Sequence, residues 1–192
     1  MSPVSTINDD AAEKLILEAA GRLLYERGIQ GVGMTDIRDA AGVSLRRLYA
    51  LHPSKNDLVA AWLADRHTRW MEWFADVVES RVDEGADALL ATFDALDQWV
   101  DEPGYRGCAF VNALAETSQI DDEHRALVVA HKRSLVEYVA VLAARDHPES
   151  PDWLVPAIAV LIDGAIVQAA VLNDHSPIAA ARMAAARLLE TP

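Results

Sequence analysis

The chain has 192 residues, of which 52% are hydrophobic, and it carries a formal net charge of -13. That length suffices for a small domain and one larger domain with a buried core. The single cysteine, Cys108, excludes an intrachain disulfide, and the polar amino terminus lacks a secretory signal pattern. We therefore expect a cytoplasmic protein. Because strand signals are few, we also expect an all-α fold of about nine helices, with a three-helix head and a helical bundle.

The first predicted helix covers residues 11–28 and is amphipathic. Gly28 ends it, because glycine readily adopts the left-handed conformation that stops a helix. The apolar residues recur at helical spacing and share one side: Leu15, Ile16, Ala19, Leu23 and Leu24.

Residues 33–55, GMTDIRDAAGVSLRRLYALHPSK, indicate two short helices joined at a glycine and followed by a basic residue. Met34, Ile37 and Ala41 recur at helical spacing before Gly42, where the chain must turn sharply. Ser44 can cap the next helix, residues 45–51, by accepting a hydrogen bond from an exposed backbone amide. The segment predicts a helix-turn-helix.

The second helix of this pair carries the residues suited to DNA. Its spacing buries Leu48 and points Arg46 and Arg47 outward, where guanidinium groups can bind guanine edges or phosphates. Tyr49 and Lys55 offer a hydroxyl and an ammonium for phosphate contacts. The alternative is a small helical pair whose arginines are merely solvated.

In order and spacing, residues 15–63 resemble the TetR family of transcriptional regulators. The resemblance implies a DNA-binding domain at residues 9–55 and an effector-binding and dimerisation domain at residues 56–192. The matching positions are Ala19, Leu23, Gly28, Ile37, Ala41, Gly42, Val43, Ser44, Leu48, Tyr49, Pro53, Lys55 and Leu58. The implied DNA-binding residues are Thr35, Ser44, Leu45, Arg46, Arg47, Tyr49 and Lys55.

Three positions depart from the family pattern. Gly33 stands where a Ser or Thr cap is usual, although Thr35, one turn in, can still reach a phosphate. Arg38 replaces a small residue. His52 replaces a phenylalanine, and we expect it to pack as an aromatic-sized residue; the alternative is that its protonation loosens the head.

The charge is distributed unevenly along the chain. The net value of -13 alone argues against a nucleic-acid partner. Residues 1–66, however, contain eight basic and nine acidic residues, and residues 35–55 contain four basic and two acidic ones. The remaining acid should discourage non-specific DNA binding, which fits a sequence-specific binder better than a protein that coats DNA.

Six helices are expected after the head. The first, residues 56–82, links the two domains. Residues 153–172 have the length and apolar character of a membrane span, but Asp163 at the centre would cost about 2.5–3.5 kcal/mol there. We therefore expect a helix buried by protein. The other five helices are predicted near residues 86–101, 108–118, 123–145, 151–173 and 177–189, the last capped by Ser176.

The segments RGCAFVNALAE (106–116) and LIDGA (161–165) are similar to those of one group of TetR-like carboxy-terminal domains. The similarity implies a homodimer joined through the last two helices, in which small residues let helix backbones approach closely. The alternative is that their alanines fill the core of a monomer. The candidate interface residues are Leu161, Gly164, Ala165, Gln168, Leu172, Ile178, Arg182, Ala185 and Leu189.

The same resemblance implies a pocket for a small apolar or amphipathic effector of unknown identity. Asn112 and Glu116 are four residues apart on one helix face, where they can orient a ligand, be solvated or pair with a neighbouring helix. Taken singly, an aromatic residue in such a helix is more often part of the core than of a ligand pocket, so ordinary core is the alternative for each aromatic candidate. The candidates are Trp70, Phe74, Trp99, Phe110, Asn112, Glu116, His131 and Tyr138.

Catalytic and metal-binding patterns are weak, and no cofactor is expected. The sequence has no Gly-rich phosphate loop after a strand and no nucleophile elbow. Residues 121–124, DDEH, are interpreted as the polar start of a helix rather than a metal site. Cys108 is expected to be a buried thiol; the alternative is a redox sensor near Arg106.

The sequence thus predicts a one-component regulator that is not an enzyme. By family analogy it is a repressor that binds a palindromic DNA operator as a homodimer and is released when an effector moves helix 56–82. The alternatives are an activator or co-activator, or a helical-bundle carrier or enzyme with a vestigial DNA-binding head.

Overall fold

A computed structural model describes residues 8–116 and 122–190. Helix is the only regular secondary structure in these two ranges, which confirms the predicted all-α class and the expected number of helices. The described helices are α1 (Asp9–Arg27), α2 (Met34–Ala41), α3 (Leu45–Leu51), α4 (Lys55–Asp83), α5 (Ala88–Val100), α6 (Ala109–Glu116), α7 (Asp122–Asp146), α8 (Leu154–Leu172) and α9 (Ser176–Leu189).

Local capping interactions fix the ends of the first helices. The Asn8 side chain accepts a hydrogen bond from the Ala11 amide at 2.8 Å, so α1 begins two residues earlier than predicted. Gly42 ends α2 with φ of 67°, in the left-handed region that favours glycine. Ser44 Oγ accepts from the Arg47 amide at 3.2 Å and caps α3 as predicted.

Gly33 has no side chain with which to cap α2, but a neighbouring acid compensates in part. The Asp36 carboxylate accepts a hydrogen bond from the Gly33 amide at 2.7 Å. This is the reciprocal half of a capping box, which fixes the chain where it enters the helix. The weakened cap expected from the sequence is therefore partly replaced.

Several helix starts later in the chain also differ from the prediction, and α5 begins at Ala88 rather than at residue 86. Helix α8 begins at Leu154 rather than at Pro151, because the Pro151 carbonyl accepts from the Leu154 amide at 2.9 Å in a separate turn. Helix α9 begins at Ser176, which is therefore its first residue and not its cap. The Ser176 hydroxyl instead donates to the Asp174 carboxylate at 2.5 Å.

The chain divides into two compact units. The head unit comprises Met1–His67 and Ala109–Leu127, and the body unit comprises Thr68–Cys108 and Val128–Pro192. The predicted division between residues 55 and 56 does not coincide with these units. The start of α4, the whole of α6 and the start of α7 group with the head.

The core of the head unit is built where α1, α2 and α3 pack together. Leu48 is the buried residue of α3, and Ile37 and Ala41 are those of α2. His52 is 4% exposed, with Nε2 3.1 Å from Glu13 Oε2, which confirms its predicted packing role.

The core of the body unit is built by α5, α8 and α9. Arg182 of α9 donates to both carboxylate oxygens of Asp94 on α5, at 2.7 and 3.3 Å. His175, at the start of α9, contacts Asp97 and Asp101, and the hydrogen bond with Asp97 raises the pKa of its imidazole. This tie between α5 and α9 thus persists to higher pH than an isolated imidazolium would allow.

Candidate functional site

Helix α3 presents a polar face to solvent because its opposite face is fixed by burial. Leu48 is fully buried against the other helices of the head unit. Leu45, Arg46 and Tyr49 are exposed on the remaining surface. An exposed arginine and tyrosine near the amino end of a recognition helix can reach base edges and phosphates.

Arg47 differs from its neighbour. Its side chain is half-buried, and its Nη2 donates to Asp9 Oδ1 at 2.7 Å. The expectation that both arginines point outward is therefore confirmed for Arg46 and wrong for Arg47. The Asp9 carboxylate, at the start of α1, thus already binds the guanidinium group that a DNA phosphate could otherwise bind.

The other predicted DNA-binding residues surround α3 in the head unit. Thr35 is exposed in the first turn of α2, and Ser44 is the cap of α3. Lys55 is half-buried at the first position of α4. Their positions at or near helix amino ends suit phosphate binding, because backbone amides there are free to donate.

The body unit contains an aromatic cluster centred on Trp70. The Trp70 ring stacks on Phe74, with ring centroids 4.7 Å apart and planes tilted by 13°. Trp99 and His131 meet Trp70 edge-on at 5.4 and 5.5 Å, and Tyr138 meets Phe74 at 6.0 Å. The structure thus brings together five of the eight predicted pocket residues.

Two features of the cluster are chemically informative. Trp70 is 9% exposed, and its indole N–H has no hydrogen-bond partner within the described parts of the chain. Burial, followed by the nearby Glu79 carboxylate, raises the pKa of Tyr138 to about 12, so its phenol stays protonated at neutral pH. The cluster therefore contains an unused donor and a neutral hydroxyl.

Tyr105 extends the aromatic cluster and was missed by the sequence analysis. Its ring meets Trp99 edge-on at 5.0 Å, and its hydroxyl donates to the Ile166 carbonyl at 3.0 Å. It lies in the segment EPGYRG, which turn residues mark as a loop. The one feature of the sequence that could have indicated its role is that Tyr105 is a single aromatic residue among turn-forming residues.

The other three predicted pocket residues lie on α6, which belongs to the head unit. Phe110 is buried and Asn112 is half-buried. Glu116 Oε2 accepts from the Ile29 amide at 2.5 Å, and the Gln30 amide lies 3.4 Å from the same oxygen. Its carboxylate therefore binds the turn between α1 and α2, an arrangement that the sequence analysis did not predict.

The predicted dimer residues fall into different environments. Ala165, Ile178 and Ala185 are buried within the single protomer, and the partly exposed Arg182 is bound to Asp94. They face the protomer's own helices because α8 and α9 pack against each other and against α5. Leu161 and Leu189 are half-buried, whereas Gly164, Gln168 and Leu172 are exposed.

Helix α8 carries a stripe of exposed apolar residues, the valine stripe, formed by Val160, Gly164, Val167 and Val171. Val160 is 72% exposed and Val171 is 77% exposed. A Cβ added at Gly164 would meet nothing within 4 Å. The helix is long and apolar enough to cross a membrane by length and composition, and 33% of its most apolar stretch is buried inside the chain.

The structure also gives the surroundings of the weak metal-site candidate, residues 121–124, and of the redox candidate, Cys108. Asp121 lies outside the described residues, and His124 is buried with Nε2 3.1 Å from the Asn56 carbonyl oxygen. Within the described ranges, no group of three or more His, Cys, Asp or Glu side chains is placed to hold a metal ion. Cys108 is a buried free thiol, as expected.

Comparison with known proteins gives consistent likenesses. A sequence profile described as bacterial regulatory proteins, tetR family, matches residues 16–62. No curated protein sequence matches the chain significantly.

Solved structures match most of the chain. A TetR-family transcriptional regulator from Streptomyces coelicolor is 26% identical, and the match covers 94% of this chain and 89% of that one with a TM-score of 0.77. A TetR transcriptional regulator from Streptomyces avermitilis, described as putative, is also 26% identical, with coverages of 91% and 97% and a TM-score of 0.70. Reduced NemR from E. coli, at 18% identity, coverages of 94% and 99% and a TM-score of 0.82, shares the fold.

The profile match covers the three helices of the head and the start of α4, where the sequence signature was found. The structural likenesses extend over the carboxy-terminal helices as well. Residues 16–62 therefore match the DNA-binding, helix-turn-helix region of bacterial TetR-family regulators, and the chain as a whole is similar in structure to TetR-family transcriptional regulators.

Proposed function

We propose that the protein is a cytoplasmic, homodimeric repressor that binds a palindromic DNA operator and is released from it by a small molecule. The exposed polar face of α3, held by the fully buried Leu48, is the observation that carries this proposal. Two copies related by a twofold axis would place their α3 helices in successive major grooves, about 34–36 Å apart. The operator is then expected to be palindromic.

Sequence recognition is assigned first to Arg46. Its side chain is exposed at the second position of α3, where the recognition helix enters the groove. A guanidinium can bind guanine O6 and N7 with two hydrogen bonds, which gives specificity as well as affinity. Tyr49, also exposed, is suited to a phosphate contact that fixes the register of the helix on the duplex.

Arg47 has a different proposed role, because it is paired within the free protein. Its partner Asp9 has a side chain that is mostly exposed, so the pair is held in a strongly solvated setting. Pairs of this kind contribute little and exchange partners readily. We infer that Arg47 leaves Asp9 for a DNA phosphate when the head binds.

The homodimer is assigned to the valine stripe of α8 together with Met183, which is exposed on α9. Exposed apolar patches of this kind mark interaction surfaces. The stripe residues are spaced by four, three and four positions, so they share one helix face. Gly164 at its centre leaves open space for the backbone of an approaching helix, and a second copy offers the same self-complementary face.

The effector is assigned to the aromatic cluster of the body unit. Aromatic walls with a few polar groups suit a small, largely apolar ligand. The indole N–H of Trp70 has no hydrogen-bond partner among residues 8–116 and 122–190, and it therefore favours a ligand that carries a hydrogen-bond acceptor. To lower the DNA-competent fraction of the protein from 99% to 1%, the effector must bind the released state more tightly by about 5.5 kcal/mol.

Selection from random duplex DNA tests the repressor proposal. At about 150 mM salt, where non-specific phosphate attraction is weak, we expect the purified protein to enrich one palindrome. Arg46→Ala should then weaken binding to that operator by about tenfold to a hundredfold, because one bidentate base contact is lost. Fluorescence anisotropy measures the affinities.

Two results would contradict this proposal at different levels. If a folded dimer enriches no palindrome, the carrier, enzyme or protein-partner alternatives replace the repressor. If a palindrome is enriched but Arg46→Ala binds it as well as the wild type, the assignment of the reading residue is wrong. Circular dichroism of the variant shows whether the fold is retained.

Asp9→Asn should strengthen operator binding by up to about fivefold, because the competing carboxylate is removed from Arg47. The dependence of affinity on salt should steepen by about one released ion. The matched control is Asp10→Asn, which removes the same charge one residue away. If Asp9→Asn does no more than this control, or if its gain survives in the double variant with Arg47→Ala, the exchange of partners does not occur.

Val160→Glu and Val171→Glu should convert a dimer into a monomer of 20.9 kDa, since each places a charge on the apolar face. Light scattering after size-exclusion chromatography measures the mass. Val141 on α7 is 65% exposed and provides the control, so Val141→Glu should remain dimeric. Dimeric stripe variants would place the interface elsewhere.

Trp70→Phe should weaken the binding of anilinonaphthalene sulfonate, an aromatic probe with acceptor oxygens, by about twofold to tenfold, because one hydrogen-bond donor is lost. The control is Trp153→Phe, which alters a tryptophan at the exposed start of α8. Titration of probe fluorescence gives both affinities. Equal probe binding by Trp70→Phe and the wild type would rule out Trp70 as a donor to the ligand.

A further inference from the structure

The last residue of α6 binds the turn that joins α1 to α2. Glu116 Oε2 accepts the Ile29 amide at 2.5 Å and lies 3.4 Å from the Gln30 amide. Gly28 makes room for this approach, because a Cβ at residue 28 would lie 2.6 Å from the same oxygen. All of these residues belong to the head unit, although Glu116 is 86 residues beyond Gln30.

The turn that Glu116 holds determines where α2 begins. Ile29 and Val32 are buried, so the turn is fixed to the core of the head on one side. On its other side, the backbone amides of the turn lie beyond the end of α1 and have no carbonyl of that helix to bind. The Glu116 carboxylate accepts hydrogen bonds from them. Four residues after Ile29, Gly33 starts the capping interaction of α2, and α2 packs against α3.

A second contact ties the start of α7 to the same unit. His124 is buried, and its Nε2 lies 3.1 Å from the carbonyl oxygen of Asn56 in the first turn of α4. Asn56 follows Lys55, a predicted phosphate contact. Residues 109–116 and 122–127 therefore contact the rest of the head unit at two points, the α1–α2 turn and the start of α4.

The hydrogen bonds from the Ile29 and Gln30 amides to Glu116, called the Glu116 tie below, can form and break reversibly. The carboxylate is half-buried, so on withdrawal it can exchange two amide donors for water at moderate cost. A buried apolar contact would leave a cavity instead. Hydrogen bonds to an ionised acceptor are also about twice as strong as neutral ones, so the turn is held firmly while the contact lasts.

We propose that Glu116 is a positioning residue for DNA recognition, whose carboxylate holds the α1–α2 turn and thereby orients α2 and α3 for the operator. The proposal rests on the proposed function and adds a residue that positions its DNA-binding helices. When the carboxylate contact is lost, the turn is free and operator affinity falls.

The test compares Glu116→Ala and Glu116→Gln with the wild type and with Glu123→Ala. Glu123 is exposed in the first turn of α7, so its variant removes an equal charge from the same region without touching the tie. Hydrogen exchange, followed by mass spectrometry on peptides that cover residues 27–33, reports on the Ile29 and Gln30 amides. Anisotropy reports on operator affinity.

We expect the exchange of these amides in Glu116→Ala to be at least about tenfold faster, as for the loss of about 1.4 kcal/mol of protection. Operator affinity should fall by at least about tenfold, because both protomers of the dimer lose the tie. Loss of an acidic charge alone would strengthen DNA binding, so a weakening cannot come from electrostatics. Glu116→Gln, whose amide oxygen still accepts a hydrogen bond, should be intermediate. Glu123→Ala should match the wild type in amide exchange and bind the operator at least as tightly.

The outcomes separate the tie from the function on which it depends. Unchanged exchange in Glu116→Ala and Glu116→Gln overturns the tie, whatever happens to DNA binding. Faster exchange with unchanged operator affinity overturns the positioning role. If the wild type enriches no operator, the repressor proposal fails and the positioning role fails with it, while the exchange data still decide whether the tie exists. If Glu116→Ala does not fold, Glu116→Gln carries both measurements.

Discussion

The burial of Leu48 is the constraint on which the DNA-binding surface depends. Helix α3 has seven residues, far fewer than a helix needs to be stable alone in water. It exists because α1 and α2 pack against it and because Ser44 satisfies one of its free amides. The side chain that faces the core fixes the rotation of the helix, and the rotation exposes Arg46 and Tyr49. The arrangement of potential DNA contacts is therefore a consequence of core packing.

Acidic residues complete the head at places where backbone or side-chain donors lack a partner. Asp36 accepts the Gly33 amide, Asp9 accepts Arg47, and Glu116 accepts the Ile29 amide. Asp9 is paired with a cation, whereas Asp36 and Glu116 keep their charge and are stabilised by neutral backbone amides. Two of these acids face groups that DNA binding would use or orient. These two carboxylates thus contact the parts of the head that carry or orient the proposed DNA contacts.

The sequence predicted those parts of the head that depend on residues close together in the chain. Gly42 and Ser44 lie within three residues of the helices they delimit, and the bounds of α2 and α3 followed from them. The contacts of Arg47 with Asp9 and of Glu116 with Ile29 join residues 38 and 87 positions apart, and no local pattern indicates such pairs. The aromatic cluster was predicted as a set of residues because the family resemblance supplied the helices that contribute to it.

The interface residues were harder to predict because α8 is apolar nearly all round. Periodicity identifies the buried face of a helix by contrast with a polar face, and α8 offers almost no contrast. Ala165 therefore looked as suitable as Gly164, although Ala165 is buried in the protomer and Gly164 is exposed. The three-dimensional packing of α5 and α9 decides which side remains open.

The energetics of release connect the dimer with the Glu116 tie. A hydrogen bond to a charged group contributes about 1.5–3 kcal/mol, and in a half-buried position the lower end applies. Two protomers that lose the tie together would therefore give up about 3 kcal/mol. This stabilisation favours the DNA-competent state and therefore opposes release, for which the effector must prefer the released state by roughly 5.5 kcal/mol. A symmetric dimer thus doubles the stabilisation that a contact of ordinary strength gives to the DNA-competent state, and the effector's preference for the released state must supply all of the free energy of release.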